Sequence, residues 1–270
     1  MSRMQNILEK AQREGAMHRM RVPVFSEPLA APPPVALPQP AVPLAVPQFD
    51  PLDAAATRTA RATHLDPRLV AMSAPNSTAA EQYRALRTRV TIGEGGGSNT
   101  VLLVTSPGRA DGKSLTAANL ALALAEEDGR RVCLVDANLR HPVQHRLFRL
   151  TDGPGLSDVL TGRAPLDEAI VQLENRRLSV LAAGTVPSNP AELLGTTMMR
   201  RTIETLRSRF DAVIIDSPGA SLVADVGVLT PVVDGIIVVV RAGATAKPAI
   251  LDTVAALDGR VLGVVLNDTV

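Results

Sequence analysis

The sequence predicts an α/β fold, a three-layer sandwich in which helices cover both faces of one mostly parallel sheet. Aliphatic runs of five or six residues alternate with segments of helical periodicity from about residue 65 to residue 270. The runs are continuous rather than alternating, which is typical of strands that are buried on both faces. Regular alternation of strands with helices favours βαβ units and therefore parallel strand pairs.

The predicted strands are the aliphatic runs themselves. They read V-L-L-V-T (101–105), V-C-L-V-D (132–136), L-S-V-L-A (178–182), A-V-I-I-D (212–216), G-I-I-V-V-V (235–240) and V-L-G-V-V-L (261–266). Ahead of the first strand, Thr78 and Glu81 stand at capping-box spacing and open a helical pattern. The glycine-rich stretch 91–98 ends that helix.

Composition divides the chain into three parts. Residues 1–21 carry an apolar stripe at helical spacing and a basic opposite face, which predicts an amphipathic helix. Such a helix is suited to docking on a partner or touching anionic lipid, although short terminal helices often simply fray. Residues 22–64 are rich in proline and are predicted to form a disordered linker. Residues 65–270 then form the folded domain.

Charge and cysteine content exclude several classes of protein. The net charge of +1 supplies no field for binding nucleic acid, which depends on neutralising phosphates. The single cysteine, Cys133, rules out a disulfide within the chain and fits a reducing compartment. No signal-peptide core and no run of ~18 apolar residues is present. We therefore expect a cytoplasmic location, with any membrane connection made through a partner.

A phosphate-binding loop is predicted directly after the first strand. In T-S-P-G-R-A-D-G-K-S (105–114), Gly112, Lys113 and Ser114 supply backbone amides, an ammonium for outer phosphates and a hydroxyl for Mg²⁺. The strict spacing fails because Pro107 takes the first glycine position, and Gly108 is expected to supply the turn. The loop residues predicted to contact the nucleotide are Gly108, Asp111, Gly112, Lys113, Ser114 and Leu115. The alternative is an ordinary strand–turn–helix connection with a surface lysine.

Two further strands end in acids, Asp136 and Asp216. Ligands of parallel sheets bind beyond the carboxyl ends of the strands, so both carboxylates should face the same crevice as Lys113. With Ser114 they are predicted to hold Mg²⁺, and with Lys113 they are the predicted catalytic residues. The alternative is that each acid only caps the helix that follows it.

The motifs in combination resemble a known family. The order G-K-S, V-C-L-V-D-A-N-L-R-H-P, L-S-V-L-A-A-G-T-V-P-S-N-P-A-E-L-L, F-D-A-V-I-I-D-S-P and G-V-V-L-N is similar to that of the bacterial tyrosine kinases of the capsule and exopolysaccharide export machinery. The resemblance covers about residues 65–270. It implies the deviant Walker A type of P-loop NTPase fold, shared with septum-positioning and plasmid-partition ATPases, and ATP and Mg²⁺ as cofactors.

The resemblance also implies roles for individual residues. Lys113 and Ser114 correspond to the Walker A residues, Asp136 to the first acid of Walker A′ and Asp216 to the Walker B acid. Asn267 corresponds to the asparagine that reads the adenine base, for which its amide offers both a donor and an acceptor.

The resemblance further implies a homo-oligomer. Glu81, Arg84 and Arg87 match an E-x-x-R-x-x-R pattern through which family members associate into rings. At i, i+3 and i+6 they lie near one helical face. Without the resemblance, these residues would be interpreted as a solvated charged face.

The sequence departs from the family pattern in its loops and tail. Asn138 replaces the second Walker A′ acid and cannot accept a proton. Gly219 after Pro218 replaces the second of two prolines. No tyrosine cluster follows Asn267, so tail autophosphorylation is not expected, and Tyr83, the sole tyrosine, is interpreted as a packing residue.

Three functional hypotheses remain. The chain is a kinase-like ATPase regulating polysaccharide polymerisation or export, a nucleotide-switched scaffold without tyrosine phosphotransfer, or a positioning ATPase. For the first two, the resemblance implies a membrane co-polymerase whose cytoplasmic tail docks on the ATPase. No nucleic-acid partner is expected.

Overall fold

A computed structural model describes residues 58–60, 65–93, 99–127, 129–220, 226–257 and 259–267 of the 270-residue chain. The predicted helix 1–21 and all of the predicted linker 22–64 except residues 58–60 lie outside these residues. Within the described part of the chain, no helix has the length and apolarity to span a bilayer.

The described strands form one eight-stranded sheet. They are β1 (Arg58–Ala60), β2 (Thr100–Thr105), β3 (Val132–Asp136), β4 (Ile170–Leu173), β5 (Leu178–Leu181), β6 (Ala212–Asp216), β7 (Gly235–Arg241) and β8 (Val261–Asn267). Their order across the sheet is β1-β4-β5-β3-β6-β2-β7-β8. Neighbouring strands are parallel except β4 and β5, which are antiparallel. The predicted mostly parallel sheet is confirmed.

The helices lie between the strands. They are α1 (Val70–Ser73), α2 (Thr78–Gly93), α3 (Lys113–Ala125), α4 (Gln144–Leu147), α5 (Leu156–Leu160), α6 (Leu166–Ala169), α7 (Pro190–Leu194), α8 (Thr197–Arg209) and α9 (Lys247–Ala256). A 3₁₀ turn (Thr230–Val232) precedes β7.

Two hydrophobic clusters show that the sheet is covered on both faces. Val101 and Leu103 of β2 pack in one cluster with residues of α5 to α8, while Leu102 and Val104 pack in the other with α1 to α4. Alternate residues of a strand point to opposite faces, so a continuous aliphatic strand feeds both clusters. This arrangement confirms the predicted three-layer sandwich.

The sequence prediction missed strands β1 and β4 at one side of the sheet. Both are short, and β1 lies within the predicted linker. Arg58 of β1 donates hydrogen bonds to the carbonyl oxygens of Thr151 and Asp152 and to the Thr151 hydroxyl. These strands depend on tertiary contacts rather than on local pattern, which explains why periodicity does not reveal them.

Strand β8 differs from the expectation of burial on both faces. It is the other edge of the sheet, and Leu262, Val264 and Leu266 are 48%, 54% and 57% exposed. Its aliphatic run therefore predicts the strand correctly but not its environment.

Candidate functional site

The phosphate loop lies between β2 and α3, as predicted. Gly112 is the N-cap of α3 and has a φ of +96°, in the left-handed region that favours glycine. A Cβ atom there would lie 1.9 Å from Nδ2 of Asn267. Both the backbone angle and the close approach of Asn267 therefore require glycine at this position. The amides that open α3 point outward at the positive end of its dipole, which suits an anion.

Asp111 holds the loop in shape from within. Its buried carboxylate accepts hydrogen bonds from the Gly108 amide at 2.8 Å and from the Thr245 hydroxyl at 3.0 Å. Asn267 Nδ2 donates to the Asp111 carbonyl at 3.0 Å. The side chain of Asp111, which was predicted among the nucleotide contacts, thus binds the loop itself and its neighbouring segments.

Two of the departures from the family pattern, the phosphate loop and Gly219, lie in contact. Gly219, which follows β6, packs against the phosphate loop, and a Cβ atom there would lie 2.9 Å from the Gly108 carbonyl oxygen. The Ala220 amide donates to the Ser106 carbonyl at 2.7 Å. A side chain at 219 would push these loops apart, which gives a physical reason for glycine there.

The strand-end acids lie side by side. Asp136 of β3 and Asp216 of β6 are register partners on neighbouring parallel strands, and both are fully buried. The Ser114 hydroxyl donates to Asp216 Oδ1 at 3.0 Å. The charge of Lys113, which is itself buried, also acts on Asp216. The structure therefore brings together Lys113, Ser114, Asp136 and Asp216.

Asp136 is held by backbone donors as well. Its Oδ1 accepts from the Asn138 amide at 3.2 Å, and its Oδ2 accepts from the amides of Val143 and Gln144 at 3.1 and 3.0 Å. The segment between Asp136 and α4 therefore closes into a loop around this carboxylate.

Burial raises the pKa values of both acids. Burial raises the pKa of Asp136 to about 8, and the neighbouring charge of Asp216 adds to this effect. Burial also raises the pKa of Asp216 to about 6, opposed by hydrogen bonds from Gln144 and Ser114 and by the charge of Lys113. A divalent cation would favour the doubly ionised pair. Two carboxylates and a hydroxyl are the oxygen donors that Mg²⁺ prefers, so the residues present fit this ion.

A cavity of 580 Å³ opens beside the loop and is large enough for a nucleotide. Its lining includes Lys113, Ser114, Asn138 and Gly219. Four of the residues that line this cavity are positively charged, and none of those described is an aspartate or glutamate. The positively charged residues are Arg68, Arg109, Lys113 and Arg140. The mouth of the site is suited to an anionic ligand.

Sequence reasoning missed Gln144. This residue begins α4, is fully buried, and donates from Nε2 to the Ser114 carbonyl at 3.0 Å and to Asp216 Oδ2 at 2.9 Å. It lies eight residues after Asp136, in a segment without a recognised motif, so only the folded loop reveals its position.

The predicted association residues lie away from this site. Arg84 on α2 pairs with Glu81 and, at 3.0 Å, with Glu126 beyond the C-terminal end of α3. Arg87 lies 3.6 Å from Glu126 and 3.3 Å from Glu127. Within one chain, these arginines therefore join α2 to the end of α3 opposite the phosphate loop.

Asn267 and Tyr83 border a second cavity of 530 Å³ between α2 and β8. Asn267 ends β8 beside Gly112, so the predicted adenine-reading residue does lie at the phosphate loop. Tyr83 is half-buried, and burial raises the pKa of its hydroxyl, in keeping with a packing role.

Comparisons with known proteins agree with this geometry. The AAA domain family matches residues 108–258. The tyrosine-protein kinase YwqD of Bacillus subtilis strain 168 is 34% identical over 215 residues, which are 78% of this chain and 90% of that protein. The solved kinase domain of the Escherichia coli tyrosine kinase ETK superposes with a TM-score of 0.70 at 31% identity, over 74% of this chain and 79% of that one.

A more distant structure shares the fold alone. The septum site-determining protein MinD of Pyrococcus horikoshii, complexed with Mg-ADP, superposes with a TM-score of 0.52 at 23% identity, over 61% of this chain and 67% of that one. The two kinases have higher sequence identity to this chain than this structure has, and their matches cover more of the chain. The chain therefore belongs to the bacterial tyrosine-protein kinase family of P-loop ATPases.

Proposed function

We propose that this chain binds ATP with Mg²⁺ and acts as a kinase-type P-loop ATPase that regulates capsular or exopolysaccharide polymerisation and export. The observation that carries the proposal is a cluster of four residues: Lys113 and Ser114 line the cavity, and the buried strand-end carboxylates Asp136 and Asp216 lie directly behind Ser114. Membership of the tyrosine-protein kinase family indicates the class of reaction, which is phosphate transfer from ATP.

Each residue has a distinct role in this proposal. Lys113 binds the outer phosphates, and the amides from Gly112 onward bind the phosphate oxygens. Ser114, Asp136 and Asp216 would hold Mg²⁺, which would supply positive charge against the phosphates. Once the bound cation favours its ionised form, Asp136 would orient the incoming hydroxyl and accept its proton. Asn267 reads the base.

A second candidate is a nucleotide-switched scaffold that transfers no phosphate to tyrosine. Asn138 favours it, because this residue lines the cavity where the family usually has an acid and cannot accept a proton. Tyr83 also favours the scaffold, because the sole tyrosine of the chain is half-buried and is interpreted as a packing residue rather than a phosphate acceptor. Positioning ATPases share the fold, but the relatives of higher identity are named as kinases.

A membrane co-polymerase is the partner in this proposal, and its cytoplasmic tail would recruit the chain to the inner face of the membrane. The groove between α2 and β8 supports this, because it is bordered by exposed Val264 and Leu266 and ends at Asn267 beside the phosphate loop. A tail bound in this groove would reach the nucleotide.

The first test removes the lysine. Lys113→Ala is expected to weaken Mg-ADP binding at least about 100-fold in titration calorimetry, because a charge-assisted contact to phosphate is lost. Arg200→Ala, an exposed cation on α8, is the control and should bind normally. Unchanged affinity in a folded Lys113→Ala protein would contradict the proposed site.

The buried acid pair predicts a pH effect on the nucleotide-free protein. A carboxyl whose pKa is raised by folding binds its proton more tightly in the native state, so stability falls as pH rises from ~4 to ~8. Asp216→Asn keeps hydrogen-bonding groups for Ser114 and Gln144 but removes the repulsion. Its free energy of unfolding relative to the parent should rise by about 1–3 kcal/mol between pH 5 and pH 8, measured by denaturant titration in EDTA. A gap that is constant with pH would refute this account of the pair.

Position 138 distinguishes kinase from scaffold. Asn138→Asp restores an acid at the cavity and is expected to raise phosphate transfer from labelled ATP to a tyrosine-containing polymer by about 100-fold, a typical contribution of a proton acceptor. Asn138→Ala is the matched control and should not gain activity. If Asn138→Asp gains nothing, the missing charge is not what limits transfer.

Oligomerisation is tested with two variants that break the same intrachain ion pairs. Arg84→Gln with Arg87→Gln should abolish the assembly in size-exclusion light scattering, because the arginines are the proposed intersubunit contacts. Glu126→Gln with Glu127→Gln frees the arginines and should preserve it. Equal behaviour of the two double variants would show that the arginines act only within the chain.

A further inference from the structure

Gln144 touches all three strand–loop units of the candidate site. Its side-chain Nε2 donates to the Ser114 carbonyl on α3 and to Asp216 Oδ2 at the end of β6. Its main-chain amide donates to Asp136 Oδ2 at the end of β3. The residue is fully buried. One residue thus contacts the phosphate loop helix and both strand-end acids, through its side chain at Ser114 and Asp216 and through its main chain at Asp136.

The orientation of the Gln144 amide is fixed by its partners. The Ser114 carbonyl is an acceptor that cannot donate, so the group facing it must be the amide nitrogen. Both Nε2 protons are then used, one by Ser114 and one by Asp216. The Oε1 atom is buried and has no hydrogen-bond partner among the described residues.

Asp216 is held from two sides as a result. Ser114 donates to its Oδ1 and Gln144 donates to its Oδ2. Two donors on different oxygens prevent the carboxylate from rotating. Its remaining lone pairs keep a fixed direction relative to the Ser114 hydroxyl, which is another proposed ligand of the ion. Hydrogen-bond partners that orient metal ligands commonly influence metal affinity strongly.

We infer that Gln144 is a positioning residue for the cation, which acts by locking the Asp216 carboxylate against Ser114. This inference rests on the proposed Mg²⁺-nucleotide function. It assigns no contact between Gln144 and the nucleotide. It therefore separates two effects: loss of the Gln144 amide should weaken the response to Mg²⁺ and spare binding of the nucleotide without the ion.

The alternative is that Gln144 only holds α4 in place. Because α4 spans four residues and closes the loop that begins at Asp136, loss of its buried contacts could lower stability without a specific effect on the cation. A useful variant must therefore keep the packing and remove the donors. Gln144→Met has a similar length and volume and no hydrogen-bonding amide, and it leaves the main-chain contact to Asp136.

The experiment uses the full chain and calorimetry. ADP is titrated first in EDTA, and Mg²⁺ is then titrated into the ADP complex. Gln144→Met should bind ADP alone within twofold of the parent and bind Mg²⁺ about 10–100-fold more weakly. Asp167→Asn, which removes the ion pair with buried Arg209 between α6 and α8, is the control for lost stability and should leave the Mg²⁺ affinity unchanged.

Parent-like Mg²⁺ affinity in Gln144→Met overturns the inference, as does an equal loss of ADP binding in EDTA. If Gln144→Met does not fold, Gln144→Asn takes its place. It keeps a carboxamide but withdraws it by one methylene, and the same selective loss of at least tenfold is expected. Failure of the parent protein itself to bind ADP with Mg²⁺ would instead refute the proposed function.

Discussion

The site depends on two carboxylates that are buried side by side. Asp136 and Asp216 end neighbouring parallel strands at the same register, with no exposure to solvent. Desolvation and repulsion oppose the ionised pair, and the surroundings offset this only partly, through backbone amides at Asp136 and through Ser114, Lys113 and Gln144 at Asp216. A pair of acids kept in such a position is destabilising by itself. A cation beside the two carboxylates would offset their repulsion. Without it, the negative charge of the ionised pair is only partly compensated.

Sequence reasoning recovered what depends on local pattern and on parallel topology. Continuous aliphatic runs gave the central strands to within a residue, and the carboxyl ends of parallel strands necessarily share one edge, which placed Asp136 and Asp216 beside Lys113. It failed for the elements and residues whose positions depend on tertiary contacts. Strands β1 and β4 are short and are stabilised by neighbours and by the Arg58 contacts. Gln144 has no motif, because its position follows from the path of a loop that periodicity cannot describe.

The unusual phosphate loop and the segment after β6 are linked by packing. The Gly108 carbonyl lies against residue 219, where a Cβ would be too close. Within the loop, the Asp111 carboxylate binds the Gly108 amide, and Ala110 takes a left-handed φ of +64° that alanine adopts with strain. The phosphate loop and Gly219, two departures from the family pattern that are far apart along the chain, are therefore in contact in the fold.

The arginines of α2 set a further constraint on assembly. Each already has acidic partners beyond α3, so a neighbouring subunit that bound these arginines would have to compete with Glu126 and Glu127. Partly exposed ion pairs contribute little, typically about 0–1 kcal/mol each, so these intrachain pairs could be given up at a small cost in free energy. Because α3 begins at the phosphate loop and ends beside these acids, a single helix of 13 residues connects the phosphate loop to these ion pairs. An association face with this design would favour reversible contacts over a permanent ring.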